Sequence, residues 1–202
     1  MSRQHHVIYV PGILDNVLHI QSTAIQSWRL YGMRGHCHVM PWLGNEETYE
    51  VKLQRLLDCI NKYTAQGHSV SLVGASAGAS AVLNAYVANP AAVTGVVLIC
   101  PKINNPETVS KETYKKNPAF KESLERLQAN LKKLTVDQKV KQIITYYSPS
   151  DGTIPYAGST IPGVPERRLP AVKHGRAIVY AITFEAPSIM HFLKHQSRVN
   201  IK

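Results

Sequence analysis

The sequence alternates short apolar runs with longer segments in which apolar residues recur at helical spacing. The apolar runs predict six strands, at about residues 5–10, 37–42, 69–73, 93–100, 140–147 and 167–172. The segments between them predict helices, the last of which runs from about residue 175 to 195. Buried strands separated by helices favour parallel pairing. The pattern therefore predicts an α/β fold, a three-layer α/β/α sandwich around a mainly parallel six-stranded sheet.

The composition is that of an ordinary globular protein, with 202 residues of which 44% are hydrophobic and 18% charged. A chain of this length predicts one domain over residues 1–202. No apolar run reaches the roughly 20 residues of a membrane span, and no secretory signal precedes the first strand. Cys37, Cys59 and Cys100 are odd in number and far apart, which favours buried free thiols and predicts a cytoplasmic protein.

A Gly-x-Ser-x-Gly pattern at residues 74–78 lies between the third predicted strand and an Ala-rich helix. In a nucleophile elbow, a serine on such a turn is lifted clear of the sheet, and the flanking glycines leave room for neighbouring backbone. The pattern alone is weak, but the strand that enters it and the helix that leaves it are the context it requires. We therefore interpret Ser76 as a catalytic nucleophile rather than part of a structural or phosphate-binding turn.

A serine nucleophile needs a base that an acid holds in position. Of the three histidines after Ser76, His174 follows the sixth predicted strand in a loop-like context, whereas His191 and His195 lie in the last predicted helix. That pair lacks the intervening Glu of a zincin pattern, so no metal site is predicted. Asp151 follows the fifth strand in a Pro/Gly-rich turn and is the preferred acid.

An oxyanion hole needs preorganised N–H donors near the nucleophile. One is predicted at Ala77, and the other in the loop after the first strand, at Ile13 or the neighbouring Leu14. Loops after the first, fourth and fifth strands supply the candidate residues of a substrate pocket, which are Leu14, Asn104, Asn105 and Ile154.

The Gly-x-Ser-x-Gly pattern, the chain order Ser76, Asp151, His174 and the loop that begins Pro11-Gly12 together resemble the α/β-hydrolase superfamily. The resemblance covers nearly the whole chain. It implies a minimal form of that fold without a large lid, with the strands in the spatial order second, first, third, fourth, fifth, sixth. Two departures stand out. Many members have His-Gly in place of Pro11-Gly12, and here a Gly/Pro-rich loop replaces the usual helix between the acid and the histidine.

The resemblance implies a serine hydrolase that needs no cofactor and cleaves a carboxylic ester or thioester of a small molecule through an acyl-enzyme on Ser76. Esterase, lipase, thioesterase and amidase activities all stay open. A serine nucleophile argues against the haloalkane and epoxide types, whose intermediates require a carboxylate. A non-catalytic binding module on the same fold is the alternative, although a complete Ser76, Asp151 and His174 set favours an enzyme.

Residues 101–135 form a short helical insertion between the fourth and fifth strands, at the position where members of the superfamily often carry a cap. A stripe of apolar residues at helical spacing favours core packing over a lipid-sensing lid, and its members are Leu124, Leu127, Leu131 and Leu134.

The net charge of +10 is concentrated in one segment: residues 101–142 contain ten Lys or Arg and five acidic residues. Such a segment can bind an anionic partner or form a solvated helix face. Because the acids are interleaved and aromatic residues are not clustered, the solvated face is preferred and nucleic acid is not expected as a partner.

Overall fold

The computed structural model describes residues 3–13, 18–44, 46–136 and 139–199. The strands are β1 His5–Val10, β2 Arg34–Cys37, β3 Ser69–Ala75, β4 Val96–Ile99, β5 Ile143–Tyr147 and β6 Glu166–Arg168. They pair in parallel to form one sheet in the order β2-β1-β3-β4-β5-β6. The strand order that the resemblance implies is therefore confirmed.

Helices cover both faces of this sheet. In the described ranges they are α1 Leu18–Ser27, α2 Tyr49–Thr64, α3 Gly78–Ala88, α4 Lys111–Lys116, α5 Pro118–Val136, α6 His174–Thr183 and α7 Ala186–Val199. One core cluster joins the sheet to α2, α3 and α5, and a second joins it to α1, α6 and α7. The predicted three-layer sandwich is thus confirmed.

The alternation of side chains along β1 explains why both faces need cover. Ile8 and Val10 are buried in the first core cluster, and Val7 and Tyr9 are buried in the second. Burying one large apolar side chain stabilises the fold by about 1.5–3 kcal/mol. A strand with apolar side chains on both sides is therefore stable only between two layers of helices.

The predicted second strand at 37–42 is shifted: β2 ends at Cys37. The shift has a packing cause at Gly35. From the sequence alone, this glycine is predicted to end the first helix. In the structure a Cβ on Gly35 would lie 2.2 Å from the carbonyl oxygen of Ile25, because α1 packs directly on β2 there. Met40 and Trp42 are buried in the core although they lie outside the strand.

The predicted sixth strand at 167–172 is shorter, ending at Arg168. The Leu169 N–H still donates to the Tyr147 carbonyl at 2.7 Å, but the Val172 N–H then donates to the Pro170 carbonyl at 2.8 Å, and this three-residue turn ends the ladder. The carbonyl of Pro170 also accepts a hydrogen bond from the Ser148 hydroxyl at 3.1 Å. The fourth and fifth strands are also shorter than predicted, since they start at residues 96 and 143.

The helical segment between β4 and β5 packs into the core. Leu124, Leu127 and Leu134 are buried and Leu131 packs against the same cluster, so the leucine stripe serves core packing. In the described part of the chain, none of the helices combines the length and the apolar character that a membrane crossing requires.

The three cysteines are free thiols. Cys100 is buried, as predicted, whereas Cys37 and Cys59 are only partly buried.

Candidate active site

Ser76 forms the sharp turn between β3 and α3. Its φ is +52°, in the left-handed region that residues other than glycine rarely adopt. Three backbone hydrogen bonds hold the turn: the Ser76 N–H donates to the Ile99 carbonyl at 3.0 Å, and the Ser76 carbonyl accepts from the N–H groups of Ala79 and Lys102, both at 3.2 Å. The turn therefore fixes the serine at the carboxyl end of a central strand.

The two glycines of the pattern allow the backbone to approach closely around Ser76. A Cβ on Gly78 would lie 2.1 Å from the carbonyl oxygen of Val10, and a Cβ on Gly74 would lie 2.7 Å from the Cα of Ala79. Both distances are far shorter than a normal contact between unbonded atoms. Only glycine therefore lets β1, β3 and α3 meet at this point.

The loop after β1 packs against Ser76. A Cβ on Gly12 would lie 2.9 Å from the Ser76 Cβ and 3.3 Å from its Oγ, so a side chain there would press on the serine. Ile13, the next residue, lines the same cleft as Ser76. Among the described residues, neither the Ile13 N–H nor the Ala77 N–H donates to a backbone carbonyl. Leu14, the other predicted donor and pocket candidate, lies outside the described residues.

Asp151 and His174 are joined by two hydrogen bonds. The His174 Nδ1 lies 2.7 Å from the Asp151 Oδ2, and the His174 N–H donates to the Asp151 carbonyl at 3.0 Å. The prediction that His174 lies in a loop is wrong, because His174 is the first residue of α6. The N–H groups in the first turn of a helix have no partner within the helix, and the Asp151 carbonyl satisfies this one.

The second carboxylate oxygen of Asp151 is held by its own turn. Oδ1 accepts hydrogen bonds from the N–H groups of Ile154 at 2.8 Å and Thr153 at 3.0 Å. Burial on its own would raise the pKa of Asp151, but the hydrogen bonds from His174 and Ile154 outweigh it and hold the pKa below its usual range. An ionised carboxylate is acceptor only, so the His174 Nδ1 carries the proton and Nε2 is left as a base.

Cys100 shows where the Asp151–His174 pair lies relative to Ser76. The Cys100 Sγ, a carboxylate oxygen of Asp151 and a ring nitrogen of His174 lie within 4.8 Å of one another. Cys100 directly follows Ile99, whose carbonyl accepts the Ser76 N–H. The Asp151–His174 pair therefore lies at the end of β4, the strand adjacent to β3, which leads into Ser76. In the described part of the chain the Ser76 hydroxyl has no hydrogen-bond partner, so no hydrogen bond joins it to the His174 ring.

A cleft of about 230 Å³ opens at Ser76. It contains three of the residues named from sequence, Ser76, Ile13 and Ile154, and it brings the Asp151 turn to the serine through Thr153 and Ile154. Besides Lys102, the lining residues that sequence analysis did not assign to the pocket come mostly from the segment after β4, and they are Thr108, Val109, Ser110, Thr113, Phe120 and Thr153. No local sequence pattern predicts them, because the segment before α4, the helices α4 and α5 and the turn after β5 meet at the cleft only through tertiary packing.

The two asparagines predicted to border the pocket lie outside its lining. The Asn104 Nδ2 donates to the carbonyls of Thr160 at 2.5 Å and Ala157 at 3.4 Å, so it braces the loop between β5 and β6. Asn105 has a φ of +54°, and its carbonyl accepts from the Lys102 Nζ at 2.9 Å. Lys102 does line the cleft.

Cys100, Asp151 and His174 are residue types that bind metals, but their protonation does not suit a metal site. Burial, followed by the nearby Asp151 carboxylate, raises the pKa of the Cys100 thiol to about 12. A thiol must lose its proton to bind a metal. The carboxylate and the imidazole are also hydrogen-bonded to each other. The group therefore fits an acid–base pair better than a metal site.

No protein-family model and no curated protein matches the sequence. Solved structures do match, 369 chains in all. Est1E from Butyrivibrio proteoclasticus with bound ferulic acid is 13% identical with a TM-score of 0.70, and the match covers 97% of this chain and 90% of that one.

Two further structures show the same likeness. A monoacylglycerol lipase from Paleococcus ferrophilus is 11% identical with a TM-score of 0.61, covering 95% of this chain and 94% of that one. A structure from Xanthomonas campestris described as a hydrolase of the alpha/beta superfamily is 17% identical with a TM-score of 0.63. The match covers 96% of this chain and 99% of that one. The chain therefore has the α/β-hydrolase fold, as the sequence resemblance implies.

Proposed function

We propose that this protein is a serine hydrolase that cleaves a carboxylic ester or thioester through an acyl-enzyme on Ser76. The observation that carries the proposal is the strained backbone of Ser76, with φ +52°, at the end of a central strand. Strain of this kind is retained where the surrounding structure imposes it, often at functional sites. The hydrogen-bonded Asp151–His174 pair, whose members follow β5 and β6, supports the same function.

In the first half of the proposed reaction, the Ser76 Oγ attacks the carbonyl carbon of the ester while its proton moves to the His174 Nε2. The tetrahedral intermediate then expels the alkoxide or thiolate, which takes that proton from His174. Asp151 accepts the hydrogen bond from Nδ1–H throughout and stabilises the imidazolium. In the second half, water loses a proton to His174 as its oxygen attacks the acyl carbon. The bond from that carbon to the Ser76 Oγ then breaks, the Oγ takes the proton back from His174, and the carboxylic acid leaves.

The negative charge of the tetrahedral intermediate needs hydrogen-bond donors in place before the reaction. We assign this role to the backbone N–H groups of Ile13 and Ala77. Two observations support the assignment: neither group is used by a backbone carbonyl among the described residues, and Gly12 brings the Ile13 loop against the Ser76 side chain. Gly12 thus supplies the close approach that this assignment requires.

Hydrolysis of a short panel of p-nitrophenyl esters tests the proposal. We expect the wild-type protein to hydrolyse at least one ester and Ser76→Ala to reduce kcat by about 10³-fold or more, because the nucleophile is lost. Ser27→Ala serves as the matched control, since Ser27 is an exposed serine at the end of α1. Equal rates in wild type and Ser76→Ala would contradict the mechanism and favour the non-catalytic binding module.

A further inference from the structure

Lys102 is the one cation in the described lining of the Ser76 cleft. It follows β4, and its backbone N–H donates to the Ser76 carbonyl at 3.2 Å. Only 5% of the residue is exposed. A buried ammonium group is therefore fixed to the same turn that carries the proposed nucleophile.

The charge of Lys102 is not neutralised by a neighbouring carboxylate. Its Nζ donates to the Asn105 carbonyl at 2.9 Å and to the Thr108 Oγ1 at 2.7 Å, which leaves one of its three N–H groups unused. No carboxylate of the described residues lies within ion-pair distance of it. Burial lowers the pKa of Lys102, and Glu107 opposes this effect only in part.

The hydroxyl groups around Lys102 are already engaged with their own loop. The Thr108 Oγ1 donates to the Asn105 carbonyl at 2.9 Å, and the Ser110 Oγ caps α4 by accepting the Thr113 N–H at 3.1 Å. Apart from Ser76, the remaining lining combines the hydroxyl groups of Thr113 and Thr153 with four apolar side chains, which are Ile13, Val109, Phe120 and Ile154. Lys102 is therefore the one charged side chain that the described lining of the cleft offers to a substrate.

From these contacts we propose that Lys102 selects esters that carry an anionic group, a carboxylate above all, near the scissile bond. The proposal rests on the proposed function, because it names the substrate class of the same site. A buried charge without a counterion costs free energy, and an anionic substrate group offsets that cost through a charge-assisted hydrogen bond. A neutral ester of the same length gains no such contact.

The first test compares mono-p-nitrophenyl glutarate with p-nitrophenyl pentanoate, which has the same chain without the terminal carboxylate. We expect the wild-type kcat/KM to favour the anionic ester by roughly 10- to 100-fold, the range expected for a hydrogen bond to a charged group. Lys102→Met keeps the length of the side chain and removes its charge, and it should abolish the preference by raising KM. Lys111→Met, at the exposed start of α4, should keep it.

A second pair of esters locates the anion. In p-acetoxybenzoate the carboxylate lies on the leaving group, and p-acetoxybenzamide is its neutral counterpart. A preference for the glutarate ester alone assigns Lys102 to the acyl side, and a preference for p-acetoxybenzoate alone assigns it to the leaving-group side. Either result supports the selection of an anionic group.

The proposal is overturned if the wild-type protein hydrolyses both members of each pair equally, or if Lys102→Met retains the preference. Lys102→Arg checks for a folding defect: it should keep the preference, because it retains the charge. Calorimetric binding of monomethyl glutarate, which is an anion, and methyl pentanoate, which is neutral, to Ser76→Ala separates this proposal from the proposed function. Tighter binding of monomethyl glutarate that Lys102→Met removes would support Lys102 even if no ester were hydrolysed, and equal binding of the two esters would count against it.

Discussion

At the scale of single residues, the Asp151–His174 contact is the part of the site with the most hydrogen-bonding support. The carboxylate accepts from the imidazole at 2.7 Å and from the Ile154 and Thr153 N–H groups at 2.8 and 3.0 Å. Both oxygens are thus occupied, which fixes the carboxylate and, through it, the tautomer of the imidazole. The role of Asp151 in this proposal is therefore orientation and charge stabilisation.

Asp151→Asn tests that role. The amide keeps the size of the side chain but removes the charge and can impose the wrong imidazole tautomer. We expect kcat for a reactive ester to fall by about 10³–10⁴-fold with KM nearly unchanged. Asp58→Asn on the outer face of α2 is the control, because Asp58 is exposed and, within the described part of the chain, accepts only from the Gln54 side chain. An unchanged kcat in Asp151→Asn would remove Asp151 from the mechanism.

Chain order and local pattern were enough to select the three candidate catalytic residues from the sequence. Ser76 has a motif in its proper context, and Asp151 and His174 follow β5 and β6 in the order the resemblance requires. The pocket could not be found in this way. Phe120 and Thr113 reach the cleft only because α4 and α5 pack over the sheet, and this packing has no local signature.

At the scale of elements, strands with two buried faces were predicted best and edge strands worst. β1 and β3 are central, and their apolar runs mark them plainly. β2 and β6 are the two edges of the sheet, and half or more of each carries polar or small residues. The limits of an edge strand depend on what packs against it, as Gly35 under α1 and Pro170 after β6 illustrate.

Gly35→Ala tests the packing of α1 on β2. Its new Cβ would lie 2.2 Å from the Ile25 carbonyl oxygen, so the backbone of one element must move. We expect the free energy of unfolding in urea to fall by roughly 2–3 kcal/mol, the upper part of the range for overpacking. Gly175→Ala is the matched control, since a Cβ there meets no atom within 4 Å. Equal stability of the two variants would show that α1 does not press on β2.

At the scale of the whole molecule, the fold concentrates histidines near the start of β1. His6 is buried and stacks with Tyr63 at 4.0 Å, His68 at 4.9 Å and His36 at 5.0 Å between ring centroids. Burial is the main cause that lowers the pKa of His6 to about 4, and burial likewise lowers the pKa of His5 to about 4. The folded protein therefore holds both imidazoles neutral in mild acid.

Because the pKa values of His5 and His6 are lower in the folded protein than in the unfolded chain, we expect the fold to lose stability in acid. An unfolded histidine binds its proton near its ordinary pKa of about 6.5, whereas the folded groups do so only near 4. The unfolded chain thus binds more protons between these values, and the free energy of unfolding should fall as the pH drops from about 6.5 towards 4. Urea unfolding at about pH 7 and about pH 5 measures the fall. His6→Phe should make the fall smaller, with the contribution of His5 remaining, and His191→Phe should leave it as in the wild type. A pH-independent free energy of unfolding would contradict the burial of His5 and His6.

The distribution of charge also becomes visible only at this scale. In the basic 101–142 segment, Lys116 pairs with Glu112 at 2.7 Å and Lys121 with Glu125 at 3.6 Å, in keeping with a solvated helix face. A denser group of cations surrounds a cleft of about 560 Å³ whose described lining has no acidic residue; it comprises Arg3, Arg29, Arg34, Lys194 and Arg198. These residues are far apart in the sequence. The composition therefore shows the excess of positive charge, but only the fold shows that these cations lie together.

The proposal that Ser76 is a nucleophile is tested most directly by covalent labelling. The folded wild-type protein is treated with a fluorophosphonate probe, digested and analysed by mass spectrometry. We expect one adduct per chain, on the peptide that contains Ser76, and no adduct in Ser76→Ala, because only an activated serine reacts with the probe. Ser27→Ala should label like the wild type. A folded wild-type protein that is not labelled, or is labelled at another residue, would contradict the assignment of Ser76.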